Sequence, residues 1–370
     1  MARGFTQKRG DVWYAYWRDA SGKQHGKAVS PRKKEAEKYL DTVQASVHAG
    51  TFREIEDVTF EEFARRWLED YATVSVKAST LRTYSGRVQG QLRRAFGSMK
   101  LSQIGAAEVQ HFLADLTRQG VSPSTVSAYL VLLRNMLNHA VAWGNLAQNP
   151  ASAIKGPKVP HTEMDCLTPD EVRAFLAACD DEHRPLFATA IMTGMRLGEL
   201  LALQWSDINW HAGTIRVRRS LFEGRFVDPK TPKSVRVIGM SDRLAAILLE
   251  HKVTAPYSPL DLVFSTPEGT PLDPSNLRDR VFAPTLRRAG LRKVRIHDLR
   301  HTFASLLINQ NENLKYVQKQ LGHSSITTTV DRYGHLMPDA HRGANERLDA
   351  TLFGDAEKTL ANKMLTNDSE

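Results

Sequence analysis

An arginine stands in a strongly apolar stretch of the sequence. Residues 186–204 (LFATAIMTGMRLGELLALQ) carry only two charges, Arg196 and Glu199, and Arg196 follows a helix break at Thr193-Gly194. A buried guanidinium without a partner costs several kcal/mol. The pattern therefore indicates either an internal ion pair, with Glu199 or Asp207, or a guanidinium placed to bind an oxyanion such as phosphate.

A second group of polar residues occurs in RIHDLRH, residues 295–301. His297 and Arg300 lie three apart, on one helical face. His297 and His301 have the spacing of a zinc-binding helix, but that motif has a glutamate where Asp298 stands, and Arg300 lies between the histidines. Residues 284–300 hold six Lys/Arg and one acidic residue, which favours an anionic oxygen over a metal ion.

Two further residues complete a set with recognisable chemistry. His323 follows the helix-stopping Gly322, and Tyr333 lies ten residues later within DRYGH. Two arginines, two histidines and a tyrosine fit nucleophilic attack on a phosphodiester. The phenol attacks phosphorus, arginines neutralise the non-bridging oxygens and a general acid protonates the leaving 5′-oxygen. The phosphotyrosine stores the bond energy, so this chemistry needs neither a cofactor nor a metal.

The order of these motifs resembles that of a known family. TGMRLGEL, HDLRHTFAS, LGHSS and DRYGH occur in this order, with Arg300 preceding His323 by 23 residues and Tyr333 by 33. In this the sequence is similar to the tyrosine recombinases, the phage integrase family. The resemblance is strong over residues 165–353, moderate over 59–150, where the family has a helical core-DNA-binding domain, and weaker over 1–50, which resemble small three-stranded arm-binding domains.

The resemblance implies a function for each motif residue. Tyr333 would be the nucleophile, and Arg196 and Arg300 would hold the scissile phosphate. The family also has a lysine on a β-hairpin between the first arginine and the H-x-x-R motif. Lys230 in DPKTPKSVRVI occupies that place as the general acid, with Lys233 as the alternative.

The same resemblance assigns supporting residues and partners. His297 and His323 would assist by hydrogen bonding and proton transfer, and Glu199 would orient the site. The residues after Tyr333 resemble a tail that docks on a neighbouring subunit, with apolar contacts at Leu336, Met337, Leu348 and Leu352. The implied partners are double-stranded DNA, at core and arm-type sites, and three further copies of the chain in a homotetramer. Whether a DNA-bending host factor or an excisionase is needed stays open.

The remaining patterns predict the elements that must position these residues. Residues 1–55 combine strands at 12–17 and 24–29 with a helix from Ser30-Pro31 to Ala49, stopped by Gly50. Four amphipathic helices follow in 59–150: the first is opened by a Thr59–Glu62 capping box, the third spans about 106–118, and the fourth runs from Ser122-Pro123 to about Trp143. A Pro-rich linker at 149–160 leads to the catalytic domain, 165–353, with a capped helix at Thr168 and strands at 214–220, 225–228 and 235–240.

These patterns define the fold class as α+β, mainly α. We expect a small N-terminal β-sheet and helix module (1–55, arm-type DNA-binding), a four-helix core-DNA-binding domain (59–150) and a mixed, mostly helical catalytic domain with a small antiparallel sheet (165–353). Residues 354–370 are predicted to be a mobile tail.

Composition narrows the function classes. The chain has 370 residues and a net charge of +9, of which residues 1–50 carry +5. This excess favours a polyanionic partner. No stretch has the roughly 20 apolar residues of a membrane helix, and two cysteines, Cys166 and Cys179, predict reduced thiols in a cytoplasmic protein.

Three functions compete on this evidence. The leading one is a site-specific recombinase, namely the integrase of a phage or mobile element. A type IB topoisomerase would use similar chemistry on one strand as a monomer. A DNA-binding regulator would explain the charge and the helices, but not the set of Arg196, Lys230, His297, Arg300, His323 and Tyr333 together.

Overall fold

The computed structural model describes residues 4–49, 58–160, 164–227, 235–334, 348 and 350–352. The chain divides into two compact units, Met1–His161 and Thr162–Glu370. Both are mainly helical with small antiparallel sheets, which confirms the predicted fold class. Within the described ranges, no helix is both long and apolar enough to cross a bilayer.

The first unit begins with a three-stranded antiparallel sheet. Its strands are β1 (Phe5–Arg9), β2 (Val12–Arg18) and β3 (Gln24–Ser30), in the order β1-β2-β3, and helix α1 (Lys33–His48) packs on one face. The small core between sheet and helix consists of Ala15, Trp17, Leu40 and Val43. Because side chains alternate along a strand, Tyr14 and Tyr16 lie on the opposite face.

Two predictions for this region were incomplete. The sequence pattern did not reveal β1, because its residues FTQKR are mostly exposed and lack apolar alternation. The helix begins at Lys33, two residues after the predicted start. Ser30 instead ends β3, and its hydroxyl donates to Glu35 at 2.5 Å while accepting from the backbone N–H of Arg32 at 3.2 Å. Gly50 lies outside the described residues.

The rest of the first unit is a helical domain. Its α-helices are α2 (Phe60–Arg66), α3 (Thr73–Ser75), α4 (Ala78–Arg87), α5 (Arg93–Phe96), α6 (Ala106–Arg118) and α7 (Pro123–Ala142). The Thr59–Glu62 capping box is present, α6 has the predicted bounds and α7 ends one residue early. The π-helical turns Trp67–Ala72 and Val88–Leu92, which the apolar periodicity did not predict, join α2 to α3 and α4 to α5.

The second unit contains the helices α8 (Pro169–Ala177), α9 (Arg184–Thr193), α10 (Leu197–Leu201), α11 (Asp242–Thr254), α12 (Pro274–Asn276), α13 (Ala283–Arg288), α14 (Asp298–Asn309), α15 (Leu314–Leu321) and α16 (Ile326–Tyr333). The predicted cap at Thr168 opens α8, with both arms of a capping box formed with Glu171. Helix α9 is buried on nearly all sides and packs against α14 and α11.

Strands β4 (Ile208–Asn209), β5 (Thr214–Val217) and β8 (Arg236–Gly239) form one antiparallel sheet. Strands β6 (Ser220–Phe222) and β7 (Arg225–Val227) form a separate hairpin. The predicted strand at 214–220 is thus two strands. It is interrupted at Arg218 and Arg219, which both form ion pairs with the buried Asp207.

The hydrophobic clusters of the first unit are separate for its sheet module and its helices. The division into domains at 1–55, 59–150, 165–353 and 354–370 stays a prediction, and residues 354–370 lie outside the described ranges. In the segment after Tyr333 that is predicted to dock on a neighbouring subunit, Leu348 and Leu352 are described and exposed, at 56% and 63%. Leu336 and Met337 are not among the described residues.

Candidate active site

Arg196 lies at the turn between α9 and α10. Gly194 makes this turn possible, with a φ of +60° and no room for a Cβ against the ring of Phe303. Arg196 then caps α10: its backbone N–H and its guanidinium donate to the two carboxylate oxygens of Glu199, at 2.9 Å and 2.8 Å. Because 35% of the Arg196 side chain stays exposed, the guanidinium is paired and still accessible to a ligand.

The ion pair of Arg196 decides between the two partners left open by the sequence. Glu199 is the partner, and Asp207 is not, since Asp207 binds Arg218 and Arg219 at 2.5 Å and 3.1 Å. An internal pair and a phosphate-binding function are therefore compatible at this position, rather than alternatives.

Glu199 also binds Arg236, which the sequence did not single out. Both residues are buried, at 5% and 6% exposure, and their charged groups meet at 2.8 Å. Burial alone would raise the pKa of the Glu199 carboxyl, but the hydrogen bond and charge of Arg236, with Arg196, lower that pKa to about 2. Arg236 also donates to the carbonyl of Gln320 at 2.6 Å. One buried arginine thus connects β8, α10 and the end of α15.

Arg300 is held by backbone carbonyls. It is 3% exposed and donates to the carbonyls of Gly194 at 2.6 Å and Leu321 at 2.5 Å. Within the described part of the chain, no carboxylate forms an ion pair with it. Burial and then the nearby Arg196 guanidinium lower the pKa of Arg300 to about 9. Two guanidiniums that disfavour each other's charge form a site that an anion would stabilise.

His323 is placed by the end of α15. Gly322, at a φ of +64°, ends the helix, and a Cβ there would lie 3.1 Å from the Arg236 side chain. The Nδ1 of His323 is 2.9 Å from the hydroxyl of Thr329. Burial and then the charge of Arg300 lower the pKa of His323 to about 3, so the half-buried ring is neutral at pH 7.

Tyr333 ends α16 and is fully buried, at 0% exposure. Its ring packs in a cluster with Phe303, Val317 and Leu321. Its hydroxyl lies 2.7 Å from Nδ1 of His301. Burial raises the pKa of Tyr333 to about 12, against a smaller opposite effect of Arg300. The phenol is therefore protonated and partnered in the DNA-free chain.

His297 is exposed, unlike His301, and it precedes the first residue of α14 rather than lying within the helix. Its ring meets that of His301 edge to face, with centroids 5.0 Å apart. Partial desolvation of its ring by neighbouring residues, and then the charge of Arg300, lower the pKa of His297. The intervening Asp298 binds Arg295 at 2.8 Å. Among the described residues, no cluster of three His, Cys, Asp or Glu could hold a metal ion.

The structure thus brings Arg196, His297, Arg300, His323 and Tyr333 into one region. The predicted general acid Lys230 and its alternative Lys233 lie outside the described residues, between β7 and β8. Sequence reasoning missed two contributors. Arg236 could have been noticed as a charge at an inward position of a strand, and His301 as a second histidine beside the H-x-x-R motif.

Family models match both units of the chain. The model described as phage integrase family covers residues 165–339, and the model described as phage integrase, N-terminal SAM-like domain covers residues 59–117.

Relatives extend this match along the chain. A protein named tyrosine recombinase XerC-like, from Caldanaerobacter subterraneus subsp. tengcongensis, is 30% identical over 366 residues, covering 90% of this chain and 93% of the relative. The ICEBs1 integrase of Bacillus subtilis is 28% identical over 268 residues, covering 68% of this chain and 72% of the relative.

Solved structures share the fold. The Tn1549 transposon integrase in complex with a circular intermediate DNA aligns with a TM-score of 0.70 and 20% identity, covering 78% of this chain and 99% of that chain. A lambda integrase tetramer bound to a Holliday junction aligns with a TM-score of 0.61 and 20% identity, covering 91% of this chain and 98% of that chain.

The family models and the relatives, on this fold, define an enzyme of the DNA breaking and rejoining class. The chain belongs to the phage integrase family, the tyrosine recombinases. It is accordingly a tyrosine-type site-specific recombinase, which confirms the leading function inferred from the motifs over the topoisomerase and the regulator.

Proposed function

We propose that this recombinase is an integrase that cuts and rejoins double-stranded DNA through a covalent 3′-phosphotyrosine on Tyr333, for integration and for excision of a phage or mobile element. The observation that carries the proposal is that the buried Tyr333 lies near Arg300, which has a second guanidinium, Arg196, as its neighbour and no carboxylate partner among the described residues. The positive charge of these two guanidiniums is not fully neutralised within the chain. The pair can therefore bind a phosphodiester, which carries one negative charge.

Each side chain then has a function in strand cleavage. Arg196 and Arg300 bind the non-bridging oxygens of the scissile phosphate and stabilise the charge that develops on them. The neutral rings of His297 and His323 donate hydrogen bonds to the same group. Lys230, or alternatively Lys233, protonates the leaving 5′-oxygen. These steps use side chains alone, without a metal or a cofactor.

DNA binding is proposed for both the helical domain and the N-terminal module. The open face of the N-terminal sheet supports this, because Phe5 stacks on Tyr16 with centroids 4.9 Å apart and Arg9 lies over Tyr14 and Tyr16 at 5.8 Å and 5.6 Å. Aromatic rings combined with cations suit nucleic acid. The helical domain would hold the core site and the N-terminal module an arm-type site.

We also propose that the active assembly is a homotetramer on DNA, as recorded for lambda integrase on a Holliday junction. The reaction would take place in the bacterial cytoplasm, where the host DNA is. A DNA-bending host factor and an excisionase would govern the direction of the reaction, and adding each to purified recombinase would reveal its effect.

The decisive experiment is Tyr333→Phe on a nicked core site taken from a panel of candidate attachment sequences. The substitution removes only the hydroxyl, so the variant should bind DNA and form no covalent adduct on a denaturing gel. Tyr257→Phe is the matched control, because Tyr257 is 85% exposed, and it should form adducts at the wild-type rate. A covalent adduct from Tyr333→Phe would refute the assignment of the nucleophile.

A further inference from the structure

His301 makes a direct contact with the proposed nucleophile. It follows Arg300 in α14, is 4% exposed, and its Nδ1 lies 2.7 Å from the Tyr333 hydroxyl. The ring centroids are 5.7 Å apart. The motif-based assignment gave this histidine no function, and the spacing with His297 suggested only a zinc site that the sequence argued against.

The direction of this hydrogen bond follows from the charge state of both partners. Burial, and then the neighbouring His297, lower the pKa of His301 to about 4, so the ring is neutral at pH 7. The phenol is protonated, because burial raises its pKa to about 12. The Tyr333 O–H therefore donates and Nδ1 of His301 accepts, which places the ring proton of His301 on Nε2.

In the described part of the chain, no other basic group near this pair forms a hydrogen bond with the phenol. His301 faces His297, Asp298 and Arg295 from its own end of the helix and Arg332 from α16. Tyr333 faces Arg300, Arg332 and the thiol of Cys166. The arginines are cationic, and burial raises the pKa of the Cys166 thiol. Among the described residues, Nδ1 of His301 is the basic atom that contacts the hydroxyl.

We propose that His301 is a catalytic residue of strand cleavage, the acceptor of the Tyr333 proton. The inference builds on the proposed function of Tyr333. As the phenol oxygen bonds to phosphorus, its O–H bond breaks and the proton moves to Nδ1. The bond from phosphorus to the 5′-oxygen breaks with its electron pair, and the general acid protonates that oxygen. In resealing, the 5′-hydroxyl attacks phosphorus and gives its proton back to the deprotonated general acid, the bond from phosphorus to the phenol oxygen breaks, and the proton returns from Nδ1 to that oxygen.

The same contact keeps the resting enzyme inert. The proton stays on the phenol until a phosphate occupies the site, because burial disfavours the phenolate more than Arg300 and Arg332 favour it, and burial together with His297 and Arg332 disfavours the imidazolium. A bound phosphodiester adds a negative charge there, which stabilises an imidazolium. Proton transfer then accompanies bond formation in the transition state, where a placed general base acts.

The test is His301→Asn in the full-length chain. The Asn side-chain oxygen falls near the position of Nδ1, so it still accepts the phenol hydrogen bond, but an amide takes up no proton at neutral pH. We expect unchanged DNA affinity and unfolding midpoint, and a covalent adduct rate lower by about 10²–10⁴-fold. The exposed His211 supplies the matched control, since His211→Asn should cleave at the wild-type rate. A His301→Asn rate equal to that of the control would overturn the proposal, because the hydrogen bond alone would then suffice.

A second substrate separates proton acceptance from leaving-group protonation. With sulfur in place of the 5′-bridging oxygen, the leaving thiol, of pKa about 8.5, departs without protonation. Cleavage by Lys230→Ala should recover on this substrate, and cleavage by His301→Asn should stay slow. Recovery by His301→Asn would assign His301 to the leaving group and overturn the proposal. No adduct from wild-type protein on either substrate would instead refute the proposed function of Tyr333.

Discussion

At the scale of single residues, the two arginines proposed to bind phosphate are held in different ways. Arg300 is fixed by two carbonyls and is almost fully buried, whereas Arg196 is partly exposed and bound to a carboxylate. Buried charges of this kind matter more to stability than exposed pairs. Breaking the Glu199–Arg236 pair would leave a buried charge, at a cost of about 3–5 kcal/mol, while an exposed pair such as Arg65–Glu69 contributes about 0–1 kcal/mol.

We predict that Arg196→Ala and Arg300→Ala lose cleavage far more than binding. Each contacts one phosphate among many, so the cleavage rate should fall by about 10²–10³-fold. DNA affinity should fall slightly, and the slope of the logarithm of the binding constant against the logarithm of the salt concentration should decrease in magnitude by about one. Adduct gels measure the cleavage rate, and filter binding at several salt concentrations measures the DNA affinity and its salt dependence. Arg173→Ala, on an exposed pair, is the control. Equal loss of binding and cleavage would mean that the two arginines are structural.

A second prediction concerns acid stability. Because the pKa of Glu199 falls from 4.5 to about 2 on folding, its charged form stabilises the folded state by about 3 kcal/mol, at about 1.4 kcal/mol per pH unit. This contribution is complete above pH 4.5 and is lost as the pH falls toward 2. Urea unfolding of wild type and Glu199→Gln over this window should therefore give a flatter pH dependence for the variant. Parallel curves would contradict the assigned pKa.

At the scale of elements, glycines bring the site's segments close together. Gly198 in α10 is covered by the β6–β7 hairpin: a Cβ there would lie 2.5 Å from the Ser220 hydroxyl and 3.0 Å from the Leu221 carbonyl. The hairpin leads directly to residues 228–234, which include Lys230. The close packing of the hairpin on α10 therefore depends on the absence of a Cβ at Gly198.

Gly198→Ala should displace the hairpin. We expect a loss of about 1–3 kcal/mol of unfolding free energy from overpacking, and a slower cleavage rate. Adding Ser220→Ala removes the nearer contact, so the double variant should recover part of the unfolding free energy and part of the cleavage rate. Gly86→Ala in α4, where a Cβ meets no atom within 4 Å, should instead stabilise the chain by up to about 1 kcal/mol. If Gly198→Ala changed neither the unfolding free energy nor the cleavage rate, the hairpin would not be closely packed on α10.

The sequence predicted local structure well and tertiary contacts poorly, for physical reasons. The bounds of α6 and the Thr168 cap follow from residues within one helical turn of each other. The Arg196–Glu199 pair spans three residues and was one of the two internal pairs that the sequence left open. The Arg236–Glu199 and His301–Tyr333 contacts join residues 37 and 32 apart, so no periodicity reveals them.

At the scale of the whole molecule, the N-terminal module carries more than half of the net positive charge. Residues 1–50 carry a net +5 of the total +9. This module has a core of its own in Ala15, Trp17, Leu40 and Val43. A second binding module acts by raising effective concentration rather than by adding contacts at the core site.

We therefore predict that a fragment of residues 56–370 still binds and nicks a core site but fails to recombine full attachment sites. Footprinting should show protection of flanking repeats by full-length protein and not by the fragment. If the fragment recombined full attachment sites at the full-length rate, residues 1–55 would act only as an electrostatic tether. The main support for an arm-binding integrase would then be lost.

The anchoring of Arg300 has a consequence for how the enzyme is made. Its two carbonyls belong to Gly194 and Leu321, and the tyrosine follows at position 333. Domains fold in order of synthesis, N-terminal first, so the segments proposed to bind DNA leave the ribosome long before these groups exist. A nascent or prematurely terminated chain that stops short of Leu321 has neither the second anchor nor a nucleophile. An unfinished chain that bound DNA through the proposed segments would therefore be unable to break it.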